Sequence, residues 1–137
     1  MYQNFELSEF LIGPETPILQ AMDFLNSQSH ELQFVIIVDK YAGLLGTLTD
    51  GDIRRALLSG RPLDGAVKDF MHLDPKFGHV GDDEEKIVIL LSSITGPTQF
   101  LPLVDAKRIV VDVRFGGSQI TRSLDALVLA GGFGKRL

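Results

Sequence analysis

The sequence predicts a mixed α+β (α/β) fold made of two pseudo-symmetric helix–strand–strand–helix units. Three observations carry this. Two apolar runs, Phe34-Val35-Ile36-Ile37-Val38 and Leu44-Leu45-Gly46-Thr47-Leu48, flank a short turn with Gly43, the pattern of a buried strand pair. An offset of 66 lays Phe34…Val38-Asp39 on Phe100…Val104-Asp105. At the same offset Thr16, Ala21 and Leu25 fall on Asp82, Ile87 and Leu91, so a helix precedes each strand pair.

Composition sets the limits. A chain of 137 residues buries a good core and is most simply one compact domain. Its 45% hydrophobic and 23% charged residues are ordinary for a globular protein. The net charge of −5, without a Lys/Arg cluster, argues against a nucleic-acid partner. No cysteine is present, so a disulfide framework and thiolate metal sites are excluded. The amino terminus has neither the basic start nor the apolar core of a signal peptide, and the apolar runs are too short to span a bilayer. The expectation is a soluble cytoplasmic protein without a membrane partner.

Taken in order, Phe10-Leu11-Ile12 closed by Gly13-Pro14 reads as a strand and turn. Thr16 before Pro17 reads as a helix cap followed by proline at the first helical position. Ile18, Ala21, Met22 and Leu25 then share one helix face, which ends near Asn26-Ser27. The strand pair follows, and a helix with Ile53, Ala56 and Leu57 at helical spacing runs to Gly60. Val67 to Met71 reads as a helical turn and Lys76 to Val80 as a short strand. Four acids, Asp82 to Glu85, suit a helix start, although Ile87-Val88-Ile89 would also suit a strand. The second strand pair takes Phe100–Val104 and Arg108–Val113. Phe34 and Phe100 hold matching repeat positions and are assigned to the core.

Chemistry concentrates between Gly46 and Asp52. Gly46 lets backbone approach closely. Thr49 offers a hydroxyl, Asp50 and Asp52 offer carboxylates, and the free N–H groups of a helix start favour an anion. A phosphate and a sugar diol would find partners there. The same Thr-x-x-Asp spacing is that of a capping box, which binds nothing, and spacing alone favours the cap. With a shorter second turn, Gly46, Thr49 and Asp52 match Val111, Arg114 and Gly117, so the second copy keeps the strands and loses the hydroxyl and carboxylate. His30, His72 and His79 have no spacing for a shared metal, and the Asp82–Glu85 run reads as a solvated helix start. No metal site is expected.

The strand ending in Val38-Asp39, the turn glycine Gly43, and Gly46-x-x-Thr49-x-x-Asp52-Ile53 opening a helix resemble a tandem cystathionine-β-synthase-type (CBS) domain pair. The resemblance covers about residues 5–115 and is weaker in the second copy. It implies a regulatory module for a small ligand, usually an adenosine nucleotide, with Thr49 on phosphate and Asp52 on ribose hydroxyls. Backbone of Val35 and Ile36 would meet the base, and Thr16 would lie beside the ligand. It also implies association into a homodimer. Arg114 is a candidate to lend charge to a phosphate. Some CBS pairs bind nothing and serve only as dimerisation units, so a ligand-free structural module stays open.

The last residues give a second resemblance. Ala126-Leu127-Val128-Leu129-Ala130 reads as a strand feeding Gly131-Gly132-Phe133-Gly134-Lys135-Arg136-Leu137, a glycine-rich phosphate loop with two cations. This is similar to the LAGGxGxRL opening of sugar-phosphate nucleotidyltransferases such as the mannose-1-phosphate guanylyltransferases. Phosphate would fall to Gly131, Gly132, Gly134, Lys135 and Arg136, in the truncated first strand of a Rossmann-like nucleotidyltransferase domain. The expected organisation is a first CBS motif at 1–65, a degenerate second at 66–115, a linker at 116–125 and the start of a catalytic domain at 126–137. The chain then reads as the non-catalytic regulatory piece of a larger enzyme. Mg2+ would be needed only by that parent.

Overall fold

The computed structural model describes residues 6–28, 33–94 and 98–116. Two three-stranded sheets organise them. In the first, β1 (Leu11–Ile12) runs parallel to β2 (Phe34–Val38), which pairs antiparallel with β3 (Leu44–Thr49). In the second, β4 (Gly78–His79) runs parallel to β5 (Phe100–Val104), which pairs antiparallel with β6 (Val110–Phe115). Helix α1 (Ile18–Ser27) precedes β2, α2 (Asp50–Leu58) follows β3, and α3 (Glu84–Ser92) precedes β5. Among the described residues no helix is long and apolar enough to cross a membrane.

Several boundaries differ from the sequence reading, among them the last strand, expected at Arg108–Val113 and found at Val110–Phe115. Phe10 closes a 3-10 turn, Leu7–Phe10, and the strand begins at Leu11. The strand foreseen at Lys76–Val80 shrinks to Gly78–His79. Thr16 does not cap α1; Pro17 holds the cap position with φ −59° and ψ 139°, and no side chain caps the helix. The reason is a backbone tether. Pro17 bridges Ala66, and the Val67 N–H donates to the Thr16 carbonyl at 2.8 Å, which keeps this segment extended. The β-branched run in α3 is helical, because Asp83 accepts the Lys86 N–H at 3.2 Å and Glu84 and Glu85 occupy the first turn.

The repeat is carried out at one constant offset. Phe34 faces Thr49 as Phe100 faces Phe115, and Val38 faces Leu44 as Val104 faces Val110, with an irregularity at the same place in each pair. A second turn shorter than the first is therefore incorrect. Both turns are closed the same way. Asp39 Oδ1 accepts the N–H groups of Tyr41 and Gly43 at 2.8 Å, and Asp105 Oδ1 accepts those of Lys107 and Ile109 at 2.8 and 3.0 Å. Ala42 and Arg108 take the left-handed φ this geometry needs, 67° and 66°.

Alternation along the buried strands sorts side chains onto two faces. Phe34, Ile36 and Val38 of β2 meet Phe100 and Val104 of β5 in a core shared by the two units. Val35 and Ile37 turn the other way, towards Ile18, Ala21 and Leu25 of α1 and Ile53 of α2. In the second unit Leu101 and Leu103 meet Ile87 and Leu91 of α3. At the centre the rings of Phe34 and Phe100 stack at 4.0 Å between centroids, and Phe10 stacks on Phe34 at 4.7 Å. At the other end of the strands the turns exchange hydrogen bonds: Leu44 N–H to the Arg108 carbonyl at 3.1 Å, and Val110 N–H to the Ala42 carbonyl at 2.9 Å.

Gly46 owes its identity to packing. A Cβ there would lie 2.7 Å from the His72 carbonyl oxygen and 2.8 Å from Met71 Sδ. The chain leaving the first unit returns to β3 at this point, where Thr47 and His72 exchange backbone hydrogen bonds at 3.2 and 2.8 Å. What approaches Gly46 is the protein itself.

Truncating the ring stack should be costly: Phe34→Ala is expected to lose about 3–5 kcal/mol in urea unfolding. A loss below about 1 kcal/mol would show that the stack is not central to stability. Gly46→Ala should lose about 1–3 kcal/mol by forcing Met71 and His72 away from β3.

Candidate functional site

The site is assembled where β3 ends and α2 begins. Thr49 leaves the strand in extended conformation and so becomes the helix cap. Its Oγ1 accepts the Asp52 N–H at 3.4 Å and donates to Asp52 Oδ2 at 3.1 Å, while its backbone N–H donates to the same Oδ2 at 2.9 Å. The capping box foreseen from the spacing is present. Asp52 uses one oxygen for this work. The other, Oδ1, accepts from Arg55 Nη2 at 2.7 Å.

Exposure separates the two partners. The Asp52 side chain is 13% exposed and the Arg55 side chain 73%. The carboxylate is thus fixed by the fold, and the guanidinium lies on it from solvent. Arg55 Nη1 lies 3.4 Å from where a Cβ on Gly51 would be, and Thr49 Oγ1 is 3.7 Å from the same point. The guanidinium therefore folds back over the first turn of α2. Asp50 is exposed and paired with Arg54 at 2.5 Å. The (i, i+3) and (i, i+4) spacing of these acids and arginines signals both pairs in the sequence.

The remaining candidates are placed as follows. Val35 and Ile36 are fully buried, opposite Leu48 and Thr47 of β3, and Ile36 also faces Leu11 of β1. Val35 thus stands across from the residue before Thr49. Thr16 is half-buried at the start of α1, tied through its carbonyl to Val67. Among the described residues no hydrogen bond joins Thr16 to the Thr49–Asp52 cluster. Gly131, Gly132, Gly134, Lys135, Arg136 and His30 lie outside the described residues.

In the second unit Phe115 stands where Thr49 stands in the first, buried in the shared core. Arg114, a candidate phosphate contact, is instead bound to Glu84 by two hydrogen bonds of 3.0 and 2.6 Å. In the first unit the matching positions are the buried Leu48 and Ile18. The Arg114 guanidinium holds the Glu84 carboxyl below its ordinary range. Asp82 is held low as well, first by the His79 N–H at 2.9 Å and then by Lys86 at 3.6 Å.

No family model matches the chain. Two curated relatives, uncharacterised proteins of Helicobacter pylori strains J99 and 26695, are 41% and 39% identical over 66 residues, 48% of this chain. That match spans 20% of each relative's length. Among solved structures, the CBS domain pair of protein MJ0100, in complex with 5′-methylthioadenosine and S-adenosyl-L-methionine, matches with TM-score 0.61 and 23% identity over 81% of this chain and 85% of that one. Protein MJ1225 of Methanocaldococcus jannaschii matches with TM-score 0.67 and 15% identity over 83% and 45%. A CBS domain protein of Streptococcus pneumoniae matches with TM-score 0.65 and 15% identity over 77% and 68%. The chain has the fold of a tandem CBS domain pair.

Removing the cap oxygen in Thr49→Ala should cost about 1 kcal/mol of stability, whereas Arg55→Ala, losing an exposed ion pair, should cost less than about 1 kcal/mol; urea unfolding measures both. The lowered folded-state pKa of Asp82 means that its contribution is present above the ordinary carboxylate value, about 4, and is lost as pH falls through the lower folded value. Melting temperature followed into acid should therefore fall less steeply in Asp82→Asn than in the unmodified chain.

Proposed function

We propose that this chain is a regulatory module that binds an adenosine-type nucleotide at the Thr49–Asp52 corner and controls an attached sugar-phosphate nucleotidyltransferase. The observation that carries the proposal is the state of Asp52. Its carboxylate is oriented by Thr49 through one oxygen, while the other meets, among the described residues, only an exposed, displaceable guanidinium. A carboxylate has lone pairs for both duties. Capping the helix therefore pre-positions the carboxylate for a ribose diol without using it up. Thr49 and the N–H groups of the first turn would take phosphate, the main chain near Val35 and Ile36 would meet the base, and Thr16 would border the ligand.

The fold supports this reading, since the structure of the MJ0100 pair holds two adenosine compounds and that of the MgtE cytosolic domain holds ATP. The attached catalyst rests on the Ala126–Leu137 pattern. It is in keeping with the curated relatives, in which the matched stretch is a fifth of a longer chain. Ligand binding would shift the catalytic domain only as far as the ligand prefers one of its states. The module would work as a homodimer.

A second reading is favoured by one observation: Thr49 and Asp52 are already satisfied within the chain. A ligand-free structural or dimerisation module would look the same at this corner.

Melting temperature against a panel of AMP, ADP, ATP, S-adenosylmethionine, guanine nucleotides and nucleotide sugars separates the two. A ligand at a hundred times Kd should add about 2.7 kcal/mol, a shift of a few degrees. A flat response across the panel would establish the structural reading. Asp52→Ala should weaken a genuine ligand by about 1.5–3 kcal/mol. For the catalytic assignment, the full-length gene product should form a nucleotide sugar from a sugar 1-phosphate and a nucleoside triphosphate, with a rate that responds to the same ligand.

A further inference from the structure

We infer that the outer edge of β6 is the pairing surface for a second copy of this chain, joined antiparallel about Val113. The inference rests on the homodimer proposed above, not on the nucleotide, and names its interface. It follows from a difference between the two units. In the first, Thr47 turns its N–H and carbonyl away from β2 and exchanges both with His72. Val113 holds the equivalent place, opposite Pro102 as Thr47 is opposite Ile36. Proline has no N–H to give the Val113 carbonyl. Among the described residues no segment pairs with β6 on its outer edge. The Val113 N–H donates instead to Oδ1 of its own neighbour Asp112, at 2.8 Å.

An edge of this kind is a template for another strand. The other described edges are short or taken: β1 and β4 have two residues each, and β3 is met by His72. A second copy fits β6 because the strand is complementary to itself. With the two Val113 residues opposed, each N–H would meet the other's carbonyl, the exchange that Thr47 and His72 make at 3.2 and 2.8 Å. In that register Asp112 of one copy stands opposite Arg114 of the other on the same face of the sheet, and does so twice. Asp112 would leave the Val113 N–H for an opposite charge, and a carbonyl would take the N–H it leaves. No polar group loses its partner. The pairing joins two three-stranded sheets into one and uses a single edge of each chain, so association stops at the dimer.

The experiment is light-scattering mass and amide hydrogen exchange against concentration, on the unmodified 137-residue chain, Asp112→Arg and Leu58→Lys. The unmodified chain should reach twice the monomer mass, and exchange at β6 should slow as it does. Asp112→Arg sets like charges opposite each other at both places and should raise the dimer Kd about tenfold or more. Leu58→Lys, at a side chain of α2 that is 82% exposed, should leave Kd unchanged. A monomeric unmodified chain overturns the homodimer and its interface together. A dimer whose β6 exchange does not depend on concentration, or one that Leu58→Lys dissociates and Asp112→Arg spares, overturns the interface and leaves the homodimer standing. Asp112 is exposed, so its replacement leaves the fold intact, which the melting temperature checks; the exchange measurement on the unmodified chain needs no variant.

Discussion

The structure depends on the contact between its two halves at the pseudo-twofold axis. Phe34 of one strand pair lies flat on Phe100 of the other, and at the far ends of the strands the turns exchange two reciprocal backbone hydrogen bonds. Neither unit is self-sufficient: a three-stranded sheet with helices on one face leaves its other face apolar, and that face must be covered. Here each unit covers the other. The requirement explains why β2 and β5 are buried on both faces, and why their sequences are unbroken apolar runs without polar alternation.

The shared core also constrains how the halves may diverge. The positions of Phe34, Val38 and Leu44 stay apolar in the second copy as Phe100, Val104 and Val110, and the turns keep their aspartate clamp and their left-handed residue. Change is largest where β3 and β6 end. There the first unit carries Ile18 against Leu48 in a closed core and opens a capped helix at Thr49, while the second carries Glu84 on Arg114 and places Phe115 in the core. One corner keeps a hydroxyl and a carboxylate, and the other has become an ion pair.

At the Thr49–Asp52 corner, the helix cap and the proposed ligand contact use the same atoms. The capping box orients Asp52 more firmly than a surface carboxylate would be held, so the helix cap does part of the ordering that ligand binding would otherwise require. Cap and binding group are therefore compatible descriptions of one side chain. What distinguishes them is whether Arg55 yields its place on Oδ1.

Local physics made most of the fold legible in the sequence. Apolar runs of strand length, helical spacing of Ile18, Ala21 and Leu25, and the Thr49–Asp52 box are each set by residues near one another in the chain. The boundaries that failed were those fixed by distant segments: Pro17 is kept out of α1 by Ala66 and Val67, and Gly46 is a glycine because Met71 and His72 return to β3. Arg114 was taken by Glu84, thirty residues away, a pairing no spacing rule reveals. The sequence by itself determined which elements form, which faces are apolar and which copy keeps the hydroxyl and carboxylate, since propensity and patterning act over a few residues. Only the tertiary structure decided which partners those groups meet, because a hydrogen bond or ion pair is assigned by distance in space, and folding brings together residues that the chain keeps apart.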